Sequence, residues 1–155
     1  MFAPASPYYR PVPAGERPMT GMYRRVGVET SVNTASPHQL TKLLLDGFFD
    51  AVASARGAIR AKDIELKTKA FKRAIGIVDE GLKASLDMKV GGELATNLSN
   101  LYTYICLRLT QANLRNDEAI LDECVTLMTP VREAWIAIAD QADHTPVRGG
   151  LEIRA

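Results

Sequence analysis

The side chains best suited to nucleophilic, acid–base or metal chemistry in this 155-residue chain are Cys106, Cys124, His38 and His144. Their spacing supports none of these. A di-metal carboxylate bundle needs Glu-x-x-His pairs on facing helices, and neither histidine sits in one. The cysteines fall on separate helical segments and make neither a disulfide framework nor a zinc set. They read as small core residues. Gly91-Gly92 could offer backbone amides to an anion, but it lacks the spacing and lysine of a phosphate-binding loop and reads as a tight turn. No catalytic residue, metal or cofactor is expected.

Composition points the same way. The chain is 46% hydrophobic and 24% charged, ordinary for a soluble domain. Nineteen basic against eighteen acidic residues give +1, without the clustered basic excess of a nucleic-acid binder. No apolar run approaches the roughly 20 residues of a membrane span, so insertion is not expected. At 17.0 kDa the chain can bury one self-sufficient core.

The elements that must position any site are helical. Apolar residues recur at a period near 3.6, with no alternating strand and no hairpin signal. The first helix, about 37–61, starts at Ser36-Pro37-His38-Gln39, a capping box with proline at the first position. Leu40, Leu44, Phe48, Ala51, Ala55 and Ile59 form its inner face. The second, about 64–85, is capped by Asp63 and carries Phe71, Ile75, Val78 and Leu82, widened by Ala70, Ala74 and Ile77. The third, about 93–113, has the stripe Leu94, Leu98, Leu101, Ile105 and Leu109. The fourth, about 117–139, carries Leu121, Cys124, Met128, Val131, Trp135 and Ile138, with Pro130 expected to delete one bond and kink it. Short connections make this an all-α, antiparallel four-helix bundle. The domain is placed at 19–140. Five of the eight prolines fall in 1–18, which is expected to be a disordered tail, and 141–155 is expected to be flexible.

Helix three carries the most informative anomaly. Tyr102, Tyr104, Cys106 and Leu107 spread apolar and aromatic groups around much of its surface. Such a helix is either central in its bundle or presents a second face, a groove for a partner helix, which helix two could share.

Taken in order, the segments MYRRVGVET, TASPHQLTKLLLDG and KDIELKTKAFKRAIGIVDEGLKASLDMKVGGELATNLSNLYTYICLRLTQANLRND resemble the flagellar secretion chaperone family, FliS. The similarity runs from about Met22 to Ala139. It is most specific at Ser36–Leu40, at Leu86-Asp87 to Gly91-Gly92-Glu93, at Asn97-Leu98 to Leu101-Tyr102 and at Ala112–Asp117. The resemblance implies a cytoplasmic bacterial chaperone that binds the disordered C-terminal segment of flagellin and lets it fold into helices on the chaperone surface. Holding that segment prevents premature polymerisation before delivery to the flagellar export gate, with other assembly factors as further partners. It implies no cofactor. It also implies an N-terminal tyrosine packed on the bundle near the client groove. Tyr23 occupies that position and is the first candidate, the alternative being a simple anchor of its segment. Thr20 stands where the family often has an aliphatic residue. From helical position, Ile77, Tyr102, Tyr104, Leu107 and Leu114 join Tyr23 as flagellin-binding candidates. A monomer or weak homodimer is expected. The runner-up reading is a self-associating structural or regulatory bundle, and an enzyme comes third.

Overall fold

The computed structural model describes residues 36–144. Tyr23, Thr20, the Pro-rich 1–18 segment and residues 145–155 lie outside the described residues. Every regular element among those described is helical: α1 Pro37–Ala61, α2 Ile64–Gly76, continuing as a π-helix over Ile77–Lys83, α3 Gly92–Arg115 and α4 Glu118–His144. The helices close into an antiparallel ring in which α1 packs on α2 and α4, and α3 packs on α2 and α4.

The helix starts follow their local chemistry. Ser36 Oγ accepts from the Gln39 amide at 3.3 Å, and Gln39 Oε1 accepts from the Ser36 amide at 2.8 Å. That reciprocal pair satisfies two of the donors a helix N-terminus leaves open. Asp63 Oδ1 accepts from the Leu66 amide at 3.0 Å, and Asp117 Oδ1 from the Ala119 amide at 2.9 Å.

Two of the three connections are built alike. Lys62 and Asn116 adopt the left-handed conformation at φ 56° and 51°. The following amides, of Asp63 and Asp117, then reach back to Ala58 O at 2.9 Å and Ala112 O at 3.1 Å. This is the ending that most often closes a helix, with the next residue already capping its successor. Asparagine tolerates that conformation; lysine, with its Cβ and long side chain, is strained there. The α2–α3 connection works differently. A Cβ on Gly91 would lie 2.6 Å from Ala95 Cβ and 2.9 Å from Asp87 O, so that position requires glycine, while Gly92, at φ +52°, favours it.

The core contains no buried polar or charged side chain among the described residues. Phe48, Phe71, Leu44, Leu45, Ile105, Leu109, Leu121 and Met128 are among its largest members, each at most 1% exposed. Removing such a side chain from water is worth roughly 1.5–3 kcal/mol. The seams between helices are polar. Arg56 bonds Glu118 at 3.2 Å and also Asp122, while Arg60 meets Glu118 at 2.9 Å, tying α1 to α4. At the other end of that seam Arg132 reaches Asp46 at 2.7 Å and lies 5.0 Å over the Phe49 ring. Trp135 Nε1 donates to His38 O at 3.0 Å.

The structure departs from the sequence reading in four places. Leu94, assigned to the core stripe of the third helix, is 67% exposed, while Ala95 beside it is 3% exposed, so the first turn of α3 enters the core on the alanine side. Ile138, assigned to the α4 stripe, is also exposed. Helix four runs through Pro130 as one element and ends at His144, past the expected start of the tail at 141. A helix tolerates an interior proline where neighbouring packing holds it, and Met128 and Val131 flank it on the core side. The second half of helix two is π-helical: the Ala84 amide donates to Asp79 O, five residues back, at 3.2 Å. The wider turn accompanies a close approach at Gly81, where a Cβ would come within 3.0 Å of Leu44 Cδ1.

Replacing Lys62 by glycine should relieve the strained turn. The expected gain is about 0.5–1 kcal/mol, the left-handed penalty less the extra entropy of a glycine in the unfolded chain. Urea unfolding of the two proteins checks it, and an unchanged or lower midpoint would contradict the strain.

Candidate functional site

Six side chains were singled out from the sequence, and the structure separates them. Ile77 is fully buried in the middle of the core and Tyr102 is 4% exposed. Both support the surface from beneath and offer it no area in this conformation. Tyr104, Leu107 and Leu114 are exposed by 42%, 55% and 81%. Tyr23 lies outside the described residues.

Leu107 and Leu114 share the outer face of α3, opposite the Tyr102, Ile105 and Leu109 face that enters the core. Because α3 packs on α2 and α4 alone among its substantial contacts, this outer face is covered by no other described helix. The sequence left open whether α3 is central or carries a second face; the ring arrangement supports the second face.

The chemistry of that face is unusual for an exposed helix. Between Leu94 and Leu114 the sole charged residue is Arg108. Its Nε donates to Glu123 Oε1 at 2.6 Å and its guanidinium to Gln111 Oε1 at 2.5 Å, so the charge is spent on the α3–α4 seam. Tyr104 donates its hydroxyl to Glu123 Oε2 at 2.8 Å, which turns the ring along the same seam. The Glu123 carboxyl is held below its ordinary value, first by Arg108 and then by Tyr104. The outward positions that remain are Thr96, Asn97, Asn100, Thr103, Leu107, Thr110 and Leu114. By contrast, the outward positions of α2 carry Lys69, Lys72 and Asp79. Sequence analysis missed the threonines; their spacing of seven along α3 was the available signal.

A second apolar feature lies at the bundle end where Ser36 enters. Leu45, Leu82, Leu86, Leu98, Tyr102, Val131 and Trp135 line an opening of about 110 Å³ between all four helices. Exposed Leu94 and Ile138 stand at the same end, with Met88 and Val90 in the adjoining α2–α3 connection.

Nothing here is poised for catalysis by its acid–base state. Burial pushes the Cys124 thiol up to about 12 and the Cys106 thiol up to about 11, the latter with help from Asp79. A thiol so protonated is a poor nucleophile. Burial likewise pushes the Tyr102 hydroxyl up to about 12. Among the described residues no group of three or more His, Cys, Asp or Glu could hold a metal ion, and no helix is long and apolar enough to cross a membrane.

Two predictions follow from this partition. Ile77→Ala should cost about 2–5 kcal/mol of stability, whereas Leu107→Ser should stay within about 0.5 kcal/mol of the parent; denaturant unfolding of both tests whether the division between core and surface is right. The raised pKa values give an alkaline limit. The unfolded chain loses these protons near the ordinary values of 9.0 for the thiols and 10.0 for the tyrosine, while the folded chain keeps them to about 11–12. Stability should therefore be full below about pH 9 and fall as pH rises to 12, because the unfolded state then binds fewer protons. Urea midpoints across that range measure it, and Cys106→Ala should flatten the part between pH 9 and 11.

Comparison with known proteins identifies the family to which this surface belongs. The sequence model described as flagellar protein FliS matches residues 19–142. The flagellar secretion chaperone FliS of Salmonella typhimurium is 48% identical over 126 residues, covering 81% of this chain and 93% of its own. The flagellar secretion chaperone FliSB of Pseudomonas aeruginosa is 42% identical over 117 residues, 76% of this chain and 92% of its own. The FliS of Bacillus subtilis is 36% identical over 107 residues, 69% of this chain and 78% of its own. An all-helical bundle with an uncharged outer helix face and a match over most of its length belongs to the FliS family of flagellar secretion chaperones, a family of chaperones and not of enzymes.

Proposed function

We propose that this chaperone binds the disordered C-terminal segment of its cognate flagellin along the outer face of α3. It holds that segment in the cytoplasm against premature polymerisation and presents it to the flagellar export gate. The observation that carries the reading is the outer face of α3, which exposes Leu107 and Leu114 and whose nearest charge, Arg108, is engaged on the α3–α4 seam. Charge depletion with exposed apolar side chains is the compositional mark of an interface core. A client that folds on binding must recover its ordering entropy from a long apolar contact, and a helix of 24 residues supplies about 36 Å of it.

Tyr104 closes the α4 side of this surface, and Ile77 and Tyr102 brace it from the core. Tyr23 stands thirteen residues before Ser36 in sequence. A stretch of that length can span to the client face, and Tyr23 is a proposed client contact. The protein works as a monomer or weak homodimer, with other flagellar assembly factors as further partners.

Calorimetric titration with a peptide of the flagellin C-terminal segment tests the reading. One-to-one binding is expected, with favourable enthalpy, unfavourable entropy and a negative heat-capacity change. Leu107→Asp should weaken it about tenfold or more, as for a central interface anchor. Absence of binding by the folded parent, with a mass that rises with protein concentration, would put a second copy of the chain on this face.

A further inference from the structure

Thr96, Thr103 and Thr110 follow one another at intervals of seven residues on the exposed side of α3. Each hydroxyl donates back to the carbonyl four residues earlier: Thr96 to Gly92 O at 3.2 Å, Thr103 to Ser99 O at 2.9 Å and Thr110 to Cys106 O at 2.9 Å. The proton of each hydroxyl is thus engaged within its own helix, so a partner meets the methyl and an oxygen that can only accept. Beside Asn97 and Asn100, the threonine row is therefore less polar than its residue names suggest.

Thr68 and Thr129 make the same bond in α2 and α4, so what distinguishes α3 is three such residues at one spacing on an exposed face. Threonine is a weaker helix former than the alanine, lysine or glutamate usual at exposed positions, and back-bonding of this kind tends to bend helices. Three such residues at one spacing run against local helix preference. Beside them run Asn100, Leu107 and Leu114, again seven apart. Two adjacent rows of period seven drift slowly around a straight helix of 3.6 residues per turn. The surface that follows such a drift is a second helix crossing at a shallow angle, with knobs repeating every 3.5 residues. An extended segment, with its side-chain period of two, does not keep step with it.

We infer that Thr96, Thr103 and Thr110 are specificity-determining contacts of the client site. They meet an uncharged helix face of the client through their methyl groups and set its seven-residue register along α3. The inference rests on the α3 reading above and adds to it the residues and the chemistry that read the client. The client face it selects carries aliphatic residues at heptad spacing, because a charge there would lose its water opposite a surface with no counter-charge to offer.

Paired substitutions in the full-length protein separate methyl from hydroxyl. Valine keeps the shape and replaces the hydroxyl by a methyl; serine keeps the hydroxyl and removes the methyl. Both have helix propensities close to that of threonine, so folding is little disturbed. Titrated with the flagellin C-terminal peptide, the triple variant Thr96→Val/Thr103→Val/Thr110→Val should bind tighter by a few-fold. The corresponding triple serine variant should bind about five- to fiftyfold weaker, the range set by up to three buried methyl groups. Valine weakening the complex as much as serine would make the hydroxyls the contacts and overturn the inference. Serine binding within about twofold of the parent, while Leu107→Asp abolishes the complex, would also overturn it yet leave the α3 reading intact. Tolerance of all three changes would remove the client from α3 altogether.

Discussion

Apolar burial with no polar side chain inside it is the constraint on which the rest of this molecule depends. Every charged side chain must then find its place on the outside or along a seam. The seams show the consequence. Arg56, Arg60 and Arg132 of the α1–α4 boundary, and Arg108 of the α3–α4 boundary, each meet a carboxylate at the edge of the core. Partly exposed pairs of this kind contribute little stability one by one. Their value lies in register, since each aligns two helices at a particular height.

The turns convert four amphipathic helices into one ring. Lys62-Asp63 and Asn116-Asp117 use the same device, a left-handed residue that ends one helix followed by an aspartate that starts the next. Connections this short leave antiparallel neighbours as the available arrangement. Lys67 ties the two corners together, its ammonium donating to Asn113 O at 3.2 Å and Asn116 Oδ1 at 2.7 Å. In such a ring each helix has two close neighbours and one face outward. For α1 and α2 that face carries charge, as a solvated surface should. For α3 it carries threonine, asparagine and leucine, and this difference gives the bundle a direction in which to bind.

The π-helical half of α2 shows how closely that ring is packed. Gly81 lies under Leu44 with no room for a side chain, while Ile77, Val78 and Leu82 on the same turn are buried. The wider turn brings Ile77, Val78 and Leu82 to the core together with the close approach at Gly81. No periodicity argument reveals such a step, because the apolar residues fit either winding.

The capping box at Ser36, the aspartate cap at Asp63, the four apolar stripes and the all-helical class were legible in the sequence, because each depends on residues within a few positions of one another. The family was legible for the same reason, through contiguous stretches such as Ser36–Leu40 and Ala112–Asp117. The exposure of individual stripe residues was not. Leu94 and Leu98 stand one turn apart on the same side of their helix, yet one stands in solvent and the other packs against the core, because what covers a residue comes from other helices. Tyr102 and Tyr104 read alike as aromatic surplus on α3, but a rotation of two residues puts one inside and ties the other to Glu123 across the seam. Local chemistry determined where the helices begin, where they end and which side of each is apolar. The tertiary structure decided which apolar groups find a partner within the chain, since burial belongs to pairs of helices and cannot be read from one helix alone.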